Sequence, residues 1–245
     1  MRSLAHISAW RGTSLTGATL RDVASKRFFG WQSWLRKRRR RHRPEVLARM
    51  LDDVRAQSPD HVVVTGDLTN VALPQEFAEA ALQLRSLGDP AWVTLVPGNH
   101  DAYVRVAPER GVDRWAPYLW GDAVADAARA PRADEYPTLR VRGEVALVGV
   151  CSALPTALFL ATGEVGAAQL ARLETLLRET GERGLLRVVA LHHPPTNLGV
   201  SPRRRLRDWR ALQRVLARAG AELVVHGHRH RTWFGTIDGP GRAIA

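Results

Sequence analysis

The chain has 245 residues, with 36 lysines and arginines against 24 aspartates and glutamates, a net charge of +12, and 45% hydrophobic content. That is the make-up of a globular protein long enough to bury a core without staples, and one cysteine excludes both a disulfide framework and a thiolate-rich metal site. No run of apolar residues is long enough to span a bilayer, and MRSLAHISAW lacks the apolar core of a secretory signal, so a reducing, cytoplasmic setting is expected.

Taken in chain order, residues 2–8 read as a short strand, followed by an aromatic-basic helical insert at about 20–43. The apolar positions Val46, Leu47, Met50, Leu51 and Val54 then line one face of a helix over 44–57. Short β-branched or apolar runs at 61–65, 91–96, 145–151, 186–191 and 222–226 read as buried strands. Helical patterns at 74–87, 167–178 and 208–219 alternate with them. Strand-helix alternation of this kind predicts an α/β fold with a helix-covered sheet. No repeat or composition shift divides it, so 1–245 is expected to be a single domain.

Four strands run directly into polar clusters: Gly66-Asp67-Leu68-Thr69-Asn70, Gly98-Asn99-His100-Asp101, His192-His193-Pro194-Pro195 and Gly227-His228-Arg229-His230. Sites in α/β sheets form beyond the carboxyl ends of strands, and seven of the nine histidines lie in or beside these clusters, counting His61 and His226. Asp67, Asn99, His192, His228 and His230 offer carboxylate, amide and imidazole donors. That set suits Mn, Fe or Zn better than the oxygen-seeking Ca²⁺ or Mg²⁺. In an extended segment the rings of His228 and His230 would point the same way. Glycine just before a ligand lets the backbone turn close to an ion.

In this order and separation, G-D-x-x-N, G-N-H-D, H-H-P-P and G-H-x-H resemble the calcineurin-like metallophosphoesterases, notably bacterial members that include cyclic-nucleotide phosphodiesterases. The resemblance implies a four-layer α/β/β/α sandwich and hydrolysis of phosphomonoesters or phosphodiesters at a metal centre of one or two divalent ions. It implies that Asp67 bridges two metals, that Asn99, His192 and His228 bind the second, and that His230 belongs to the first. His100 corresponds to a proton-donating or phosphate-contacting histidine oriented by Asp101. His193 reads equally as a residue steadying a ligand ring and as a solvated loop histidine.

Two departures stand out. The family's first motif, D-x-H, is replaced by Ala9-Trp10-Arg11, which removes two first-metal ligands. Three readings compete: a one-metal or weakened enzyme, a catalytically impaired homologue acting as a peripheral membrane or anion-binding module, and a local sequence error over 9–18. The chain also stops 15 residues after His230, so the sandwich is expected to be incomplete at its C-terminal edge, with 232–245 partly exposed.

The positive charge is local. Residues 36–43, RKRRRRHR, carry +7, and 203–210, RRRLRDWR, carry +4. The aromatic block Phe28, Phe29, Trp31 and Trp34 beside the first patch suits an anionic membrane surface through residues 28–43, at the inner face of the membrane, better than nucleic acid. A helical cap with solvated arginines accounts for it as well. Arg203 and Arg204 follow the H-H-P-P loop closely and are candidates for attracting an anionic substrate.

Overall fold

The computed structural model describes residues 25–38, 44–124, 127–197, 199–231, 233–241 and 243–245. The strand predicted at 2–8, with Ala9 and Arg11, and residues 39–43 of the basic run lie outside these. Helix α1, Lys26–Ser33, passes into a π-helical turn, Trp34–Arg38; α2 spans Pro44–Ala56, β1 Val62–Val64, α3 Pro74–Leu87 and β2 Val93–Leu95. After two 3₁₀ turns come α4 (Ala116–Leu119), β3 (Thr138–Arg142), β4 (Val145–Gly149), α5 (Ala167–Glu182), β5 (Leu186–Leu191), α6 (Trp209–Ala219) and β6 (Leu223–His226).

The strands form two sheets. β1 and β2 pair in parallel, and a second sheet runs β3-β4-β5-β6, antiparallel at β3–β4 and parallel elsewhere. Because strand side chains alternate between faces, single strands feed two cores. Val63, Val96, Leu147, Val188 and Ala190 pack between the sheets. On one outer face Val62, Val64, Val93 and Leu95 meet Leu51 and Val54 of α2 and Phe77, Ala80, Ala81 and Leu84 of α3. On the other, Val148, Val189 and Leu191 meet Leu170, Leu173 and Leu177 of α5 and Leu212, Val215 and Leu216 of α6. Helix, sheet, sheet and helix therefore stack as the predicted sandwich, with β1, β2, β4 and most of β5 buried on both faces, which is why these strands read as apolar runs.

Two local features differ from the sequence reading. β3 was not predicted. Its sequence, Thr-Leu-Arg-Val-Arg, looks solvent-facing, yet Arg140 is buried, its guanidinium donating to the carbonyls of Trp120 (2.9 Å), Pro117 (2.7 Å) and Pro90. Helix α5 runs past 178 to Glu182 because Thr180 turns inward and donates its hydroxyl to the Leu176 carbonyl (2.7 Å). The sheets are open at their edges, and most of 233–245 is exposed, as expected. This last segment is nonetheless tied down: Ile244 is wholly buried in the α5–α6 core, and the Ala245 carbonyl accepts the Val224 N–H at 2.7 Å.

Candidate metal centre

The loops leaving β1, β2, β5 and β6 converge at one end of the sandwich. The approach of the first two depends on glycine. Gly66 lies at φ +87°, and a Cβ there would sit 2.7 Å from the Val96 carbonyl oxygen. A Cβ at Gly98 would strike Asp67 Oδ1 and come within 2.8 Å of the His192 ring. The two loops are then clamped by Asp101. One carboxylate oxygen accepts the N–H groups of Asp67 and Gly98 (both 2.8 Å), and the other accepts that of Thr69 (2.9 Å). Burial first, and then the neighbouring Asp67 charge, push Asp101 up to about 7 against the pull of these amides.

Asp67, fixed in a left-handed conformation at φ +62°, accepts the His100 N–H through Oδ1 at 2.9 Å. Its Oδ2 lies 3.4 Å from His192 Nε2. His192 Nε2 also lies 3.0 Å from Asn99 Oδ1 and 3.2 Å from His228 Nδ1, and His228 Nδ1 lies 2.8 Å from the same Asn99 oxygen. Donor atoms from three other strand ends thus lie around His192 Nε2.

The tautomer of His192 shows what they lack. Its Nδ1 donates to the Thr65 carbonyl at 2.6 Å, and a carbonyl can only accept, so in the neutral ring Nε2 is a lone pair aimed at other lone pairs. Such a group needs a shared proton or a cation. Ligands about 2.1 Å from a divalent ion stand roughly 3.0–3.4 Å apart in octahedral or tetrahedral geometry, which matches the spacing found. The donors therefore fit a single divalent ion.

Without an ion, the electrostatics favour the shared proton at His192, which a bound metal would displace. Burial alone would raise Asp67, but the charges of His192 and His100 hold it well below the carboxylate range. Burial likewise opposes His192, and the Asp67 charge carries its pKa upward. His228 is driven down to about 3, by burial and then by the His192 charge, which keeps it neutral as a ligand must be.

Other sequence-predicted residues fall as follows. His193 is wholly buried, not solvated; its Nδ1 lies 2.8 Å from Ser152 Oγ, and together with His192 and His228 it forms a three-histidine cluster able to hold a metal. Its Nε2 and that of His228 are buried without a hydrogen-bond partner. His100 is held by the Asn70 carbonyl (2.6 Å from Nδ1) and stacks on Tyr103, with centroids 5.8 Å apart and ring planes 4° from parallel. Asp101, expected to orient the His100 ring, makes the backbone clamp described above.

His230 is exposed. Both it (φ +52°) and His228 (φ +68°) occupy left-handed turn conformations, so the strand alternation assumed for them does not apply. Arg203 and Arg204 are exposed on the segment after the His192 loop. His61 is not at this site: it precedes β1, at the opposite end of the strand, and bonds Thr94 Oγ1 at 2.8 Å.

The family profile described as calcineurin-like phosphoesterase matches residues 40–232, well over half of the chain. The chain belongs to the calcineurin-like phosphoesterase family. Among similar proteins, a probable cyclic nucleotide phosphodiesterase of Synechococcus sp. (strain WH7803) is 41% identical over 76 residues, 30% of this chain and 29% of that protein. The glycerophosphodiester phosphodiesterase GpdQ of Enterobacter lignolyticus (strain SCF1) is 30% identical over 150 residues, 58% of this chain and 45% of that protein. The chain therefore spans less than half the length of either relative. Membership and the histidine cluster together support a metal-dependent hydrolase.

Proposed function

We propose that this calcineurin-like phosphoesterase hydrolyses phosphodiesters, using an ion held by Asp67, Asn99, His192 and His228. The observation that carries the reading is that Asn99 Oδ1, His228 Nδ1 and Asp67 Oδ2 lie 3.0, 3.2 and 3.4 Å from Nε2 of a His192 whose tautomer is fixed by Thr65. The diester class is supported by the names of both relatives. When bound, the ion supplies a Lewis acid for the phosphoryl oxygens and lowers the pKa of an attacking water.

The chain's own residues supply the rest. His100, with Nδ1 donating to the Asn70 carbonyl, must present Nε2 to the substrate; as imidazolium it donates that proton to the departing alkoxide. Stacking on Tyr103 limits the ring to one plane, which lowers the entropy cost of the transfer. Asp101 keeps the Asp67 and Asn99 loops in register, and Arg203 and Arg204 draw anionic substrate toward the loop. The reducing cytoplasmic setting expected from a single cysteine goes with this reading.

One observation favours a second reading. Ala9 and Arg11 stand where the family's carboxylate and imidazole ligands are expected, which supports an impaired homologue that binds an anion without cleaving it. Mn²⁺-supported hydrolysis of an aryl phosphodiester by the purified protein decides between them. Turnover abolished by His192→Ala is expected; no turnover under any of Mn²⁺, Zn²⁺ or Fe²⁺ would favour the anion-binding module.

A further inference from the structure

Beside the metal centre, α1 and the 156–160 loop build a rim from segments far apart in sequence. Lys26 Nζ donates to the Thr156 hydroxyl (3.0 Å) and carbonyl (3.1 Å). Arg27 donates to the carbonyls of Val71 (3.1 Å) and Ala72 (2.6 Å), directly after the Asn70 carbonyl that holds His100. Tyr103, stacked on His100, has the Lys26 ammonium 4.3 Å from its ring centre. The helix is therefore fastened to the loop that carries the site.

Apolar groups stand on the outer side of this rim. Phe29 is 44% exposed and Phe159 is 70% exposed, and their rings meet with centroids 6.0 Å apart. Leu35 and Leu158 are exposed to a similar degree as Phe29. Phe159 also sits at φ +64°, a left-handed backbone that a bulky residue rarely occupies and that persists only where the surroundings enforce it. Packing of the core does not account for an exposed phenylalanine held in that conformation.

Cations flank the patch. Arg36 is exposed just after Leu35, where the sequence enters its +7 run, and Arg203 and Arg204 are exposed where the Arg203 carbonyl accepts the Ala161 N–H at 2.8 Å. We infer that this aromatic and arginine rim docks on an anionic lipid bilayer. Rings and leucines enter the boundary between headgroups and acyl chains, while arginines meet lipid phosphates. Single-stranded nucleic acid is bound by ring faces that stack on successive bases, whereas the Phe29 and Phe159 rings are engaged with each other, meeting at 66°.

The inference goes beyond the hydrolase reading and is tested without turnover. The full chain is floated with vesicles of phosphatidylcholine, with and without phosphatidylglycerol. Binding is expected only with the anionic lipid, and it falls as salt is raised, because the arginine contribution is screened. The double variant Phe29→Ser with Phe159→Gly should lose at least about ten-fold in partitioning, since two rings leave the interface. Glycine suits the left-handed backbone at 159, so this variant keeps its fold, which thermal denaturation checks. Three results would overturn the inference: no wild-type binding to anionic vesicles, equal binding to both vesicles, or unchanged binding by the double variant. Salt-sensitive binding of a single-stranded oligonucleotide in place of vesicles would assign the rim to nucleic acid instead. Failure to hydrolyse any diester, with flotation intact, would remove the hydrolase reading and leave this one standing.

Discussion

Asp101 lets charge and hydrogen bonding be separated at the centre of the site. Its carboxylate accepts three buried N–H groups, two on one oxygen and one on the other. Replacing it with alanine or with asparagine removes the same negative charge, and so relieves the same repulsion from Asp67. The two variants differ in what the amides then face. Asparagine, with its carbonyl turned toward Asp67 and Gly98, still accepts two of the three bonds and sets its amide against only the Thr69 N–H. Alanine orphans all three. An unsatisfied buried donor costs about 1–3 kcal/mol, and the asparagine amide is itself unpaired, so Asp101→Ala should be less stable than Asp101→Asn by about 1–3 kcal/mol. Urea unfolding of both variants in metal-free buffer measures this as a difference in midpoint at unchanged slope. If the two agree within about 0.5 kcal/mol, which is the reach of ordinary measurement error, the carboxylate is not clamping the loops and the account of the site fails.

Three further outcomes are expected. Mn²⁺ or Zn²⁺ should raise the melting temperature, with a stabilisation of about 2.7 kcal/mol at a hundred times the dissociation constant, and His192→Ala or Gly98→Ala should abolish the shift seen by calorimetry. His61, held down to about 4 by burial and then by Arg142 and Arg140, binds no proton in the fold until pH falls well below the unfolded value of 6.5. Stability present above pH 6.5 is therefore lost as pH falls through 4, by roughly 3 kcal/mol, and His61→Gln should flatten the urea midpoint over that window. Arg187 bonds Glu222 (2.7 Å) and the carbonyls of Leu177 (3.1 Å) and Ala219 (2.8 Å), joining β5 to both helices of its face, so Arg187→Leu should cost about 3 kcal/mol in the same assay.

What the sequence made legible follows from the distances over which its chemistry acts. The ligand clusters were readable because each donor follows its strand within a few residues, and parallel strands deliver their C-terminal ends to one place. Helix 74–87 and strand 186–191 agree with the structure because a proline start and an apolar run are local signals. β3 was not readable, since Arg140 looks like a surface residue until the carbonyls of Pro117 and Trp120 are brought to it from about 20 residues away. His193 was undecided for a similar reason: Ser152, which accepts its N–H, lies 41 residues earlier. The role of Asp101 depends on two loops that meet only after the sheet has formed.

Part of the backbone strain falls at the donor loops. Asp67, His228 and His230 all take left-handed φ angles without being glycine or asparagine, and each such residue costs of order 1–3 kcal/mol unless its surroundings enforce it. Around Asp67 the enforcement is visible: the Asp101 clamp on its own N–H, the close approach of Gly66 and Gly98, and the His100 N–H on Oδ1. Around His228 the contacts include the Asn99 oxygen, the rings of His192 and His193, the Gly227 N–H bonded to the His192 carbonyl at 3.0 Å and the Arg229 N–H bonded to the Gly227 carbonyl at 2.8 Å, with no carboxylate clamp like that of Asp101 among them. The β6 turn therefore has most to gain from an ion, because a bound cation would replace lone-pair contacts with bonds and offset the strain. It follows that metal should protect the amides of 227–230 from hydrogen exchange more than those of 66–69, which Asp101 already holds. Equal protection at both loops would show that the strain at β6 is balanced by something other than the ion.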